Sequence, residues 1–159
     1  MNNITNKTEQ LQQQTKDWLG YMSFSHYLVV DLPLDRKHYD FEHATKFLKT
    51  VIKRFEKELV GRYWHKKPVR FVGIAEQGDF HIWHWNLLLS AFQYTNAEVA
   101  NAVIKTTNYM KLDSKTMDIQ PIKPEKEHLN DYCVKELKVN FNFHVNSDRI
   151  FTSETLFYL

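Results

Sequence analysis

The stretch VRFVGIAEQGDFHIWHWNLLL, residues 69–89, decides how this chain folds. Val69 to Glu76 is a run of apolar residues ending in a carboxylate. Gln77-Gly78-Asp79 has the composition of a tight turn, and Phe80 to Leu89 is a second apolar and aromatic run. Two such runs joined by a Gly-containing turn predict a β-hairpin. Strand side chains alternate between faces. Ile82, His84, Asn86 and Leu88 therefore share one face, and His81, Trp83, Trp85, Leu87 and Leu89 share the other. Trp83 and Trp85 are expected in the core between sheet and helix. Polar groups inside such a strand need partners or a task.

Working outward, Phe24 to Leu32 predicts a buried strand that Pro33 ends. Residues 41–59 carry Phe41, Ala44, Leu48, Val51, Ile52, Phe55 and Leu59 at spacings of three and four, one apolar stripe on a helix that Gly61 stops. Thr95 to Asn108 predicts another helix, capped by Thr95 or Asn96. Met117 to Ile122 predicts a short strand that Pro121 pushes to a sheet edge. Pro124 to about Leu137 predicts a helix, Phe141 to Val145 a strand, and Thr152 to Leu159 a final segment. The order β-α-β-β-α-β implies an α+β fold: a ferredoxin-like antiparallel sheet of about five strands with helices against it. Residues 1–20 form a polar helix, from about Glu9, or an arm; residues 21–159 form a single domain.

The bulk numbers exclude several classes. At 159 residues the chain holds one domain with a real core. Its aromatic fraction of 14% suits a sheet with large packed faces. A net charge of only +2 does not announce a nucleic-acid binder, though a local basic patch serves as well. The lone Cys133 excludes an internal disulfide and fits a reducing cytoplasm. No apolar run approaches the roughly 20 residues of a membrane helix. The Asn- and Gln-rich start has no apolar core, so no signal peptide is expected.

Across the predicted hairpin, Glu76 approaches the face that carries His84 and Asn86. A carboxylate, an imidazole and an amide oxygen make a mixed site suited to Mg²⁺ or Mn²⁺, and the lack of thiolates argues against structural zinc. The plain alternative is a hydrogen-bonded strand histidine beside a surface turn glutamate. In the predicted helix of residues 124–137, Tyr132 shares a face with His128, Lys135 and Glu136. A tyrosine oxygen is able to attack phosphorus, aided by a cation on the phosphate and a nearby ammonium. The plain alternative is a half-buried tyrosine with a solvated lysine and glutamate.

Together these pieces resemble the HUH endonuclease superfamily, specifically the single-tyrosine rolling-circle replication initiators. Glu76 stands for that family's strand glutamate, His84-Trp85-Asn86 for its His-hydrophobic-His pair, and Tyr132-x-x-Lys135 for its nucleophile motif. FSHYLVV at residues 24–30 stands for the first motif, and the resemblance spans residues 22 to about 140. It implies an HUH-type nuclease that nicks and joins single-stranded DNA, at an origin or hairpin, through a 5′ phosphotyrosine on Tyr132. Lys135 would offset charge, Glu76, His84 and Asn86 would hold Mg²⁺ or Mn²⁺, and a host helicase would be borrowed. The departure is Asn86, where the family has His or sometimes Gln. His81 compensates if the strand bulges, and Glu136 rivals Glu76 as third ligand. Lys53 and Arg54 in one basic cluster, and Arg62, Lys66 and Lys67 in another, are candidates for gripping the DNA backbone. The alternatives are a related transposase or relaxase, monomeric or dimeric, a ferredoxin-like nucleic-acid binder with weakened catalysis, and a structural domain in which these residues are unrelated.

Overall fold

In the computed structural model, which describes residues 2–77, 82–123 and 150–154, the 69–89 stretch is an antiparallel strand pair. We label the strands β1 (His26–Asp31), β2 (Arg70–Gln77), β3 (Trp83–Ser90), β4 (Met117–Pro121) and β5 (Ile150–Thr152), and the helices α1 (Asn2–Gly20), α2 (Phe41–Val60) and α3 (Asn96–Met110). Pairing of β2 with β3 runs from Arg70–Ser90 to Gln77–Trp83, with Glu76 directly opposite His84. Ile82 lies outside the strand and packs on the helix side, not beside His84 as alternation alone predicts.

The sheet order is β4-β1-β3-β2-β5, every neighbouring pair antiparallel. Its first four positions are compatible with a ferredoxin-like fold; β5 extends the β2 edge. The Pro-bearing strand is an edge strand, as expected, because Pro121 lacks a ladder donor. Between β2 and β5 the ring of Phe151 lies over Gly73, where an added Cβ would collide with it. The glycine is what lets this strand dock so closely.

One face carries the main core. Leu28, Val30, Trp83, Trp85, Leu87 and Leu89 meet Leu48, Val51, Ile52 and Phe55 of α2 and Val99, Ala102 and Val103 of α3. The two tryptophans are buried here, as expected. Each large apolar side chain removed from water contributes roughly 1.5–3 kcal/mol. The stripe that predicted α2 faces the core: Ala44, Leu48, Val51, Ile52 and Phe55 are buried, Phe41 and Leu59 are partly buried at its ends, and Thr45, Phe47 and Glu56 join the buried face. Asp40 caps the helix by accepting the His43 N–H at 2.8 Å, and Gly61, at a φ of 83°, ends it. Thr95 and Glu98 form a reciprocal capping box at the start of α3. His26, assigned no role from sequence, clasps β1 to α3: Nδ1 lies 2.9 Å from Ser25 Oγ and Nε2 lies 2.9 Å from Asn96 Oδ1.

The opposite face is half covered. Helix α1 begins at Asn2, well before Glu9. Leu11 and Leu19 pack with Val72, Ile74 and Leu88 in a second, smaller cluster, so the N-terminal segment docks as a helix on the sheet. The expected helix of 124–137 and strand of 141–145 lie outside the described residues. No helix among the described residues is long and apolar enough to cross a membrane.

Candidate functional site

The strand register builds a polar row on the face that α1 half covers. Asp31 on β1 pairs with His84 on β3, which pairs with Glu76 on β2. One pleat along, Asn86 stands between Val29 and Ile74, and Asp118 of β4 stands opposite Val29. Because alternate residues share a face, Asp31, His84, Glu76, Asn86 and Asp118 all project the same way. Tyr27 lies on this face as well.

Glu76 is 1% exposed, a position that disfavours an unpaired carboxylate. Its Oε2 accepts a 2.6 Å hydrogen bond from His84 Nε2, and the His84 side chain retains 21% exposure. A charge-assisted bond this short offsets much of the burial cost. The other carboxylate oxygen, Oε1, is buried with no hydrogen-bond partner among the described residues. Asn86 is 1% exposed, its Oδ1 accepts from the Tyr27 hydroxyl, and its Nδ2 has no partner among the described residues. Burial at its carboxyl raises the Asp31 pKa; His84 opposes this and Asp118 adds to it. The Asp31 residue as a whole remains exposed, so solvent moderates the effect.

The donor chemistry fits a hard divalent cation. Glu76 offers an oxygen with no other partner among the described residues, and His84 offers an imidazole. Asn86 Oδ1 keeps a second lone pair beside the Tyr27 bond. No cluster of three or more His, Cys, Asp or Glu residues is placed to hold a metal among the described residues; the Asn86 amide is the third polar group beside Glu76 and His84. Without a cation, the same side chains form a hydrogen-bonded network in a sheet.

No family model matches this chain, and neither a curated protein nor a solved structure matches it. The site must be judged on its own geometry.

Of the residues singled out from sequence, Glu76, His84 and Asn86 are brought together. Tyr132, Lys135, Glu136 and His81 lie outside the described residues. The basic residues stand elsewhere. Lys53 and Arg54 are on α2, which packs on the other face of the sheet. Arg54 is held between helices, paired with Glu58, with its guanidinium 3.4 Å from the centre of the Tyr109 ring. Arg62, Lys66 and Lys67 lie in the loop before β2, with Arg62 and Lys66 near the Tyr63 ring. Glu76 is six residues along that strand, about 20 Å away at roughly 3.3 Å per residue. Asp31 and Tyr27 were missed. The alternation Tyr27, Val29, Asp31 held the signal, but only the pairing of β1 with β3 sets these residues beside His84 and Asn86.

Proposed function

We propose that this chain nicks and rejoins single-stranded DNA through a covalent 5′ phosphotyrosine. The observation that carries the reading is the meeting of Glu76, His84 and Asn86 on one sheet face, with Glu76 Oε2 and His84 Nε2 2.6 Å apart. These three residues would hold Mg²⁺ or Mn²⁺, which would supply Lewis-acid polarisation of a scissile phosphate, and Tyr27 orients the Asn86 amide. Tyr132 is the nucleophile. Its phenol oxygen bonds to phosphorus, the bond from phosphorus to the 3′ oxygen breaks, and the phenol proton ends on the released 3′ hydroxyl. Lys135 offsets charge as it develops. The reverse attack by a 3′ hydroxyl rejoins a strand without ATP, because the phosphotyrosine conserves the bond energy. In rolling-circle replication of a plasmid or phage, inside the reducing cytoplasm, this enzyme would work with a host helicase. A related transposase or relaxase uses the same chemistry; solution mass and preference for hairpin DNA distinguish these contexts.

A second reading has one observation in its favour. The Asn86 oxygen is already engaged by Tyr27, as in a binding domain with weakened catalysis. Incubation with mixed single-stranded oligonucleotides and Mn²⁺, followed by denaturing electrophoresis, separates the two. Nicking leaves a protein–DNA band that survives denaturation and is abolished by Tyr132→Phe. Binding alone leaves none, and an undiminished band from Tyr132→Phe defeats the nucleophile assignment.

A further inference from the structure

A pocket of about 590 Å³ opens beside the polar row, sharing Asp31 and His84 with it. It lies where β1 ends and β3 and β4 begin, with the turn after α3 closing one side. Its volume falls within the range of ordinary small-ligand sites, about 300–1,000 Å³. The buried part of the wall is largely apolar and aromatic, Leu32 and Trp83 with the buried Thr116, and the partly buried Ile82 and Leu112 stand beside them. Three cations line it: the exposed Lys111 and Lys115, and the partly buried Arg36, whose guanidinium lies 4.9 Å from the centre of the Phe47 ring. Neither lysine side chain has an ion pair among the described residues. Lys111 ends α3 in the left-handed region, at a φ of 54°, a conformation that glycine adopts at less cost. Three carboxylates also line the pocket. Asp113 is engaged in its own turn, where Oδ1 accepts the Lys115 N–H at 2.8 Å. Asp31 faces His84, and Asp35 stands in the exposed turn after Pro33.

A bare anion fits this mixture poorly, because the carboxylates repel it. A ligand with a flat, hydrogen-bond-donating body and one outlying phosphate fits all three features. We propose that this pocket is a nucleotide subsite. It takes one unpaired nucleotide of a single strand, with its base against the Leu32 and Trp83 wall and its phosphate at Lys111 and Lys115. Base amino groups find acceptors in Asp31 and Asp35, as carboxylates accept from cytosine in groove recognition. The shared His84 then sets the neighbouring phosphate of the strand at the polar row. This deepens the proposed function and rests on it for the identity of the strand as DNA. It adds, beside the basic clusters of residues 53–57 and 62–67, a grip at the end of the sheet where Glu76 and His84 lie.

The test is fluorescence anisotropy of short, labelled single-stranded DNA of mixed sequence, in EDTA, so that catalysis plays no part. Lys111→Gln/Lys115→Gln removes two exposed cations that support no core contact. Affinity is expected to fall about tenfold at low salt, and the salt slope to drop by about 0.7, the value for one phosphate contact on a single strand. Lys46→Gln/Lys105→Gln, at exposed positions on α2 and α3, is the control and leaves both unchanged. Deoxynucleoside monophosphates compete with the oligonucleotide for the wild type. Unchanged affinity and slope in the Lys111/Lys115 variant overturn the subsite, as does wild-type protein that binds no oligonucleotide. A covalent adduct in Mn²⁺ with no effect of those lysines leaves nicking standing and removes the pocket. Lysine-dependent binding with no adduct does the reverse.

Discussion

Glu56 supplies a quantitative test of how this core is built. It sits on α2 at 2% exposure, and one oxygen accepts the Val69 N–H at 3.1 Å. Burial pushes its carboxyl up from 4.5 to about 7, against the opposing effect of that hydrogen bond. The unfolded chain releases this proton near 4.5 while the folded protein keeps it to about 7. Protonation therefore favours the fold. The contribution is fully present below pH 4.5 and is lost as pH rises through about 7. The gap corresponds to about 3 kcal/mol, at about 1.4 kcal/mol per pH unit. This is a large part of the 5–15 kcal/mol, roughly, that holds a domain folded. Glu56→Gln keeps an oxygen for the Val69 N–H and removes the titration. The assay is urea unfolding followed by circular dichroism from about pH 5 to about pH 8, with wild type and variant compared at each pH. The variant is expected to gain on the wild type as pH rises, by about 3 kcal/mol across the range, with other titrations cancelling in the difference. A difference that stays constant with pH refutes the reasoning.

Three further outcomes follow from the site and the sheet. His84→Ala leaves the buried Glu76 carboxylate without its partner, so stability is expected to fall by roughly 2–4 kcal/mol. A loss below about 0.5 kcal/mol in calorimetry would count against that pairing. Gly73→Ala drives a methyl group into the Phe151 ring and is expected to cost about 1–3 kcal/mol, with β5 amides losing hydrogen-exchange protection first; an unaltered exchange pattern would contradict the close packing of β5. Asn86→His supplies an imidazole in place of an amide and is expected to tighten Mn²⁺ binding, measured by titration calorimetry, by about tenfold or more; unchanged affinity would remove residue 86 from the ligand set.

Much of the fold was legible because periodic patterns carry it. The three- and four-residue spacing of α2 and the alternation of β3 fall on the buried faces they predict, since burial selects apolar residues at the period of each element. The full length of α1 was not legible. Its early turns are polar, and its docking rests on a few apolar contacts such as Leu11 and Leu19. The placement of Ile82 against the main core was hidden because alternation holds only inside a paired strand.

The candidate site divides along the same line. By itself the amino-acid sequence determined that a carboxylate, an imidazole and an amide would share one hairpin face, because residues close in the chain obey the local period of the strand. Only the tertiary structure set Asp31 next to His84, brought the Tyr27 hydroxyl to Asn86, and turned Lys53 and Arg54 to the far side of the sheet. It also opened the pocket rimmed by Lys111 and Lys115 at the end of the sheet where Glu76 and His84 lie. Those placements follow from strand order and register across long loops. Pairing between segments distant in sequence is decided by which faces of the whole core close against each other, and no local period carries that information.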